Sequence, residues 1–419
     1  MTLIRTSLLN GIAVVIKMLT LLSINKVLAI YVGPVGYAAL GQFQNAVQMI
    51  TTFASGAINT GVTKYTAEYY DDEAKQRLVW RTAGTIALVG SVVTALLIAA
   101  FNKPLAGWFL NDISYGGVFL WFSATLVLFT FNTLLLAILN GKKEIARYVV
   151  ANIAGSIFAL VVTTIMTIQF GLYGALVALA VYQSIAFFVT LLLCYKAHWF
   201  KVSYLVGGVD KKTALNLGKY TAMALTSAAC VPLSHILVRN HLGETLGWAA
   251  AGYWEAIWRL SSAYLILVTT TLSVYYLPKF AELKDREDIK KEIIKSYKTI
   301  LPIAALCGLL IYLLRDLIIN TLFTKDFAPM RELFAWQMLG DFLKVGSWIL
   351  AYLMLSKAMF KTFIASEISF SFSFVATTYL LVSDFGLVGV TIAHAINYAI
   401  YWAILLFALN KSMKTSFSE

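Results

Sequence analysis

Long apolar runs, each about the length of a membrane-crossing helix, alternate with short polar segments along the whole chain. An α-helix rises about 1.5 Å per residue, so roughly 20 apolar residues cross a hydrocarbon core of about 30 Å. Windows of that length predict twelve helices, near residues 6–31, 36–63, 82–102, 115–140, 147–169, 172–195, 216–240, 246–278, 299–321, 330–356, 361–383 and 386–410. The run at 6–31 begins like a secretory signal but is interrupted by Lys17 and Lys26, so it reads as an uncleaved first span. Within the eighth run, "IWRLSSAYLILVTTTLSVYYLP" at 257–278 carries Arg259, with Glu255 one helical turn earlier.

The pattern repeats. "FGLYGALVA" at 170–178 returns as "FGLVGVTIA" at 385–393, an offset of 215. "TKYTAEYYDDEAKQR" from Thr63 returns as "PKFAELKDREDIKK" from Pro278 with one gap, and "WFLND" at 108–112 as "LFTKD" at 322–326. The same offset lays Gly141 and Lys142 on Ser356 and Lys357, and Asn152 on Glu367. Matches in the same order imply two homologous halves, residues 1–200 and 201–419. Six spans per half is an even number, so the halves share one orientation, and parallel repeats of this kind hold substrate between them.

Composition agrees. Hydrophobic residues make up 60% of the 419 and charged residues 13%, against roughly half and a quarter in soluble domains. The net charge of +12 suggests nucleic acid until its placement is read. With the N-terminus inside, Lys75, Arg77, Arg81, Lys142, Lys143, Lys211, Lys212 and the cluster from Lys279 to Lys298 all fall on the cytoplasmic side. Only Lys103, Arg239, Arg315, Lys325 and Arg331 fall on the other. That bias orients a multi-pass protein with both termini cytoplasmic, and no nucleic-acid partner is needed. Segment 279–298 places Ile289, Ile293, Ile294 and Tyr297 at helical spacing among charges. It reads as an interfacial helix on the inner leaflet, with a solvated charge run as the alternative. Cys194, Cys230 and Cys307 are scattered singly, so no metal site or disulfide is indicated.

Lys17, Glu255, Arg259, Asp341, Lys344 and Glu367 lie within predicted spans. A mid-span charge costs about 2.5–3.5 kcal/mol, so exposing all six to lipid would cost roughly 15–20 kcal/mol. They are therefore expected to face protein or water. Glu255 and Arg259 are four residues apart, and Asp341 and Lys344 three, so each pair shares a helix face. Gln44 and Gln48 share one face of the second span, with Gln42 and Asn45 alongside, and Asn10 and Lys17 share one face of the first. Arg239 stands at the outer end of the seventh. The expected site is a polar, partly cationic cavity between the halves. Two readings of the charge pairs stand: structural ion pairs, or a site for an anion. His235 and His394 read as core histidines.

No GxxxxGK[ST], HExxH or GxSxG motif occurs, and the outward loops are short. Two parallel halves, a cationic cavity and no motor point to a secondary transporter, not an enzyme, with no cofactor.

The residues at 313–358, "LLRDLIINTLFTKDFAPMRELFAWQMLGDFLKVGSWILAYLMLSKA", with "GVTKYTAEY" at 61–69 and "SVYYLPKFAEL" at 273–283, resemble the Wzx-type polysaccharide repeat-unit flippases. The resemblance is to the branch with the enterobacterial common antigen lipid III flippase and the O-antigen translocases, within the superfamily of the MATE exporters. It implies an all-α polytopic fold of twelve transmembrane helices in two six-helix lobes. The implied activity is translocation of undecaprenyl-diphosphate-linked oligosaccharide across the bacterial inner membrane, in a pathway that also has a polymerase and a chain-length regulator. Carried onto this chain, a diphosphate suits the intramembrane cations Lys17, Arg259, Lys344 and Arg239, and sugar hydroxyls suit Gln44 and Gln48. Glu255, Asp341 and Glu367 are left to tune those cations or to carry a coupling ion. The alternatives are a MATE-like exporter of small molecules and a membrane enzyme of lipid-linked sugar assembly.

Overall fold

The computed structural model describes residues 3–415 except 284 and 358, with side chains described from residue 11 except at 219, 220, 223, 274, 278, 281, 408 and beyond 409. Asn10 lies outside the described side chains. The described residues form helices and no strand. In the first part of the chain these are α1 (Leu3–Tyr31), α2 (Gly33–Ala54), α3 (Asn59–Glu68), α4 (Glu73–Ala100), α5 (Asn102–Leu110), α6 (Gly116–Gly141) and α7 (Ile145–Tyr195). There follow α8 (Lys211–Leu246), α9 (Trp248–Thr271), a π-helical segment (Leu272–Tyr276), α10 (Leu277–Glu282) and α11 (Arg286–Leu313). The chain ends with α12 (Arg315–Leu322), α13 (Phe334–Ser356), α14 (Phe360–Phe385) and α15 (Val388–Thr415).

Every predicted span overlaps helix, but not one helix to one span, and the span expected at 36–63 is interrupted at residues 55–58 between α2 and α3. The spans expected at 147–169 and 172–195 are the two arms of α7, which turns at Gly171, where φ is 55°. Among the described residues, eight helical stretches are long and apolar enough to cross a membrane, which makes this a multi-pass membrane protein. Helices α2, α8 and α9 are not among the eight; they carry the glutamines, Arg239, and the Glu255–Arg259 pair.

The chain forms two compact units. One comprises Met1–Val32 with Ala39–Pro232, the other Gly33–Ala38 with Leu233–Glu419. The division thus falls inside α8, at a proline, a residue that removes one backbone hydrogen bond from a helix.

In the first unit, Val62, Trp80, Leu134, Leu135, Ile138 and Trp199 belong to one buried core. The stretch 196–210 that follows α7 is packed onto this unit as a strap. Trp199 lies on Trp80 with ring centroids 5.5 Å apart and donates from Nε1 to Glu144 at 3.0 Å. Gly207 exchanges two hydrogen bonds with the Thr85 hydroxyl, at 2.9 and 3.0 Å. Gly84 makes the close approach possible: a Cβ there would stand 1.7 Å from the Leu205 carbonyl oxygen.

In the second unit, Leu272, Phe280, Ile293, Ile349, Leu353, Tyr398 and Leu405 share a core. Its composition corrects the reading of 279–298 as a separate interfacial helix. Residues from Arg286 are the first turns of α11, capped by Asp285, whose carboxylate accepts from the N–H groups of Glu287 and Asp288. Ile289 and Ile293 are buried in this core, and Tyr297 donates to the Gly346 carbonyl at 3.2 Å. Ile289 and Ile293 are therefore spent on protein, whereas Ile294 stays exposed.

Candidate functional site

The second unit holds a buried charge network built from one face each of α8, α9, α13 and α15. Glu255, 3% exposed, binds two guanidiniums: Arg239 Nη2 at 2.7 Å and Arg259 Nε at 2.7 Å. Arg239 lies over the ring of Trp254 at 5.3 Å and Arg259 over Tyr37 at 5.8 Å. The expected Glu255–Arg259 pair is thus part of a triad. Arg239, placed by sequence at the outer end of its helix, is instead 1% exposed and enclosed. It belongs to the buried network and not to the outer loops.

The expected pairing of Asp341 with Lys344 does not form. They share the face of α13, yet each turns to a different neighbour. Asp341, 1% exposed, accepts from Ser261 Oγ at 2.5 Å, Tyr264 OH at 2.7 Å and Gln337 Nε2 at 3.2 Å, with His394 Nε2 also at 3.2 Å. Lys344 sits among rings, its Nζ 4.2 Å from the centroid of Trp258, 4.9 Å from Trp348 and 5.5 Å from Tyr398. It makes no ion pair among the described residues. Aromatic faces stabilise a cation without neutralising it. The triad leaves one positive charge in excess and Lys344 adds another, against the single charge of Asp341, so the network is net cationic. His235 packs edge-on against Trp258 at 4.3 Å, as a core histidine does, whereas His394 is part of the Asp341 network.

The first unit holds a separate polar pocket of about 140 Å³, lined by Lys17 and Thr20 of α1, Asn132 of α6, and Asn152, Tyr182 and Gln183 of α7. Asn132 donates to Gln183 Oε1 at 2.6 Å, while its own Oδ1 is buried without a hydrogen-bond partner. Lys17 makes no ion pair among the described residues. A cation and an orphaned acceptor on one small pocket suit a ligand group that carries both an anion and a hydroxyl.

Some expected residues stand outside both groups. Gln44 and Gln48 are exposed on α2 and line neither. Glu367 is half-buried on α14 and is not among the partners just given for Asp341 or Glu255. Conversely, Asn132, Gln183, Gln337, Ser261, Tyr264 and Trp258 were not singled out by sequence, and Asn152 was noted only as the repeat partner of Glu367. Asn132 and Gln183 were findable as lone amides inside the apolar runs "FTFNTLLL" and "AVYQSIAFF".

The fold is that of the MATE transporters. A MATE family transporter of the MOP superfamily, in an inward-facing conformation, superposes with a TM-score of 0.76 at 13% identity, covering 95% of this chain and 96% of that one. A MOP superfamily transporter from Pyrococcus furiosus, described as having a binding pocket of reversed polarity, superposes at 0.71 with 13% identity over 96% and 95%. Residues 3–284 match the family described as polysaccharide biosynthesis protein, and the chain belongs to that family. It is 30% identical over 404 residues to the lipid III flippases of Escherichia coli K12 and of Shigella flexneri, covering 96% of this chain and 97% of each.

Proposed function

We propose that this protein flips undecaprenyl-diphosphate-linked oligosaccharide units from the cytoplasmic to the periplasmic leaflet of the bacterial inner membrane, with both termini cytoplasmic. The observation that carries the reading is the surplus of cations over carboxylates in these two polar groups: Lys17 and Lys344, which make no ion pair among the described residues, and one carboxylate shared by Arg239 and Arg259. A diphosphate crossing hydrocarbon needs such compensation, and cations in low dielectric supply it. On this reading the first and second halves of the repeat, 1–200 and 201–419, act as lobes. Gln44 and Gln48 meet sugar hydroxyls. Asp341 with its ring of donors is the carboxylate we assign to ion coupling, Glu367 a second candidate, and Glu255 the structural one. The polymerase and chain-length regulator of the same pathway are its expected partners. No step of the reading breaks or forms a covalent bond.

A MATE-like exporter of small cations is the second reading, and the excess of positive charge disfavours it because like charges repel strongly in low dielectric. The deciding experiment is gene deletion followed by mass analysis of undecaprenyl-linked lipids. Accumulation of a complete lipid-linked unit is expected, relieved by the native gene but not by Lys17→Ala or Lys344→Ala, with Lys17→Arg partly active. Unchanged lipids in the deletion strain, together with lost resistance to cationic drugs, would give the exporter reading instead.

A further inference from the structure

The two halves of the repeat differ at one matched point, the second long helix of each. In the first unit that helix is broken. Gly56 and Ala57 adopt positive φ of 64° and 53° between α2 and α3, conformations that a non-glycine residue takes only at some cost. The offset of 215 lays these two residues on Thr271 and Leu272. There the second unit keeps a continuous helix, with the π-helical segment Leu272–Tyr276 joining α9 to α10. A π segment packs its backbone less well than α-helix and is commonly found at functional sites.

Both halves carry hydroxyls just before this point, bonded back onto helix carbonyls. In the second unit Thr269 and Thr270 donate to the Ile266 carbonyl at 3.1 and 2.7 Å, and Thr271 to Leu267 at 2.9 Å. In the first, Thr51 donates to Val47 at 2.7 Å, Thr52 to Gln48 at 2.8 Å and Ser55 to Thr52 at 3.0 Å. Such bonds bend helices and satisfy backbone groups that a break would orphan in a membrane. The carbonyl of Gly56, at the break itself, accepts from the Thr221 hydroxyl at 3.0 Å. The second unit therefore has hydroxyls in place for a break it does not show.

One interaction distinguishes the unbroken form. Ser273, in the π segment, shares a 2.8 Å hydrogen bond with Tyr352 of α13. The matched residues of the first unit are Ile58 and Ala137, which have no hydroxyls. We infer that residues 270–276 are a two-state hinge, held continuous by the Ser273–Tyr352 bond, whose other state is the broken form seen at 55–58. Breaking there frees the α10 end, which buries Phe280 completely and is tied by Lys357 to the Leu283 carbonyl. Glu255, Arg259, Ser261 and Tyr264 of α9 keep their network while that end moves.

The test measures distance across the hinge in the full-length protein in lipid nanodiscs. Spin labels are placed on the exposed positions Ser262 and Glu282, after replacing Cys194, Cys230 and Cys307. A continuous helix over these 20 residues sets the labels roughly 30 Å apart, and a break shortens the separation by several Å. A shorter population that grows in Tyr352→Phe and in Ser273→Ala is the expected result. Should Tyr352→Phe fail to fold, Ser273→Ala alone decides, since Ser273 is exposed and its hydroxyl makes no other hydrogen bond among the described residues. One unchanged distance distribution in the native protein and in the folded variants overturns the hinge, and does so whatever the transported substrate proves to be.

Discussion

Glu255 binds two guanidiniums with one carboxylate, at 2.7 Å each and almost wholly out of solvent. Removing one member of a buried ion group leaves uncompensated charge, which costs about 3–5 kcal/mol. Glu255→Gln, which leaves Arg239 and Arg259 facing each other, is therefore expected to lower the midpoint of thermal unfolding in detergent more than Arg259→Ala does. The measurement is unfolding followed by tryptophan fluorescence, aided by Trp254 stacked under Arg239. Exchanging Glu255 and Arg259 does not rescue either single change on this geometry, because an arginine at 255 would meet Arg239. A fully stable exchange variant would mean that Arg239 does not hold Glu255 in solution. The i, i+4 spacing already put Glu255 and Arg259 on one face, but it held no information on Arg239, which arrives from a different helix.

At the scale of elements, the strap 196–210 depends on one missing methyl group. Gly84 lies against the Leu205 carbonyl, and a Cβ there is expected to meet backbone, which cannot swing aside as a side chain would. Overpacking of this kind costs about 1–3 kcal/mol. Gly84→Ala should lower the unfolding midpoint and speed proteolytic cleavage between 196 and 210, with little change from the neighbouring Thr85→Ser, which retains the hydroxyl bonded to Gly207. Equal cleavage rates in native protein and Gly84→Ala would show that the strap is not held this way. The apolar stripe of 286–298 teaches the complementary lesson. Its helical spacing was legible, but a stripe facing a leaflet and a stripe facing α13 have the same spacing, and only the packing of Ile289 and Ile293 separates them.

For the whole molecule, the proposed topology is open to direct measurement. Single cysteines at Asn111, Asp112, Lys325, Ser383 and Asp384 are expected to react with an impermeant reagent added from the periplasmic side. Those at Lys75, Lys142, Lys211 and Lys291 should react only after the membrane is opened. Labelling of positions 211 and 291 from outside would overturn the parallel arrangement of the halves, since the repeat then no longer shares one orientation.

By itself the sequence determined the class of protein, because hydrophobic length and charge bias act locally and need no partner to be read. It also carries the matched segments that suggest a repeat, and the energetic reason for Lys17, Glu255, Arg259, Asp341 and Lys344 to seek protein or water. Tertiary structure decided which partners they found: Asp341 with Ser261, Tyr264, Gln337 and His394, Lys344 with three aromatic rings, and Arg239 with Glu255. It also placed Gly33–Ala38 with the second unit and residues up to Pro232 with the first, across the midpoint that the repeat suggests. The physical reason is the same throughout. A helix fixes which of its own residues share a face, whereas the helix that face meets is chosen by packing among segments far apart in the chain.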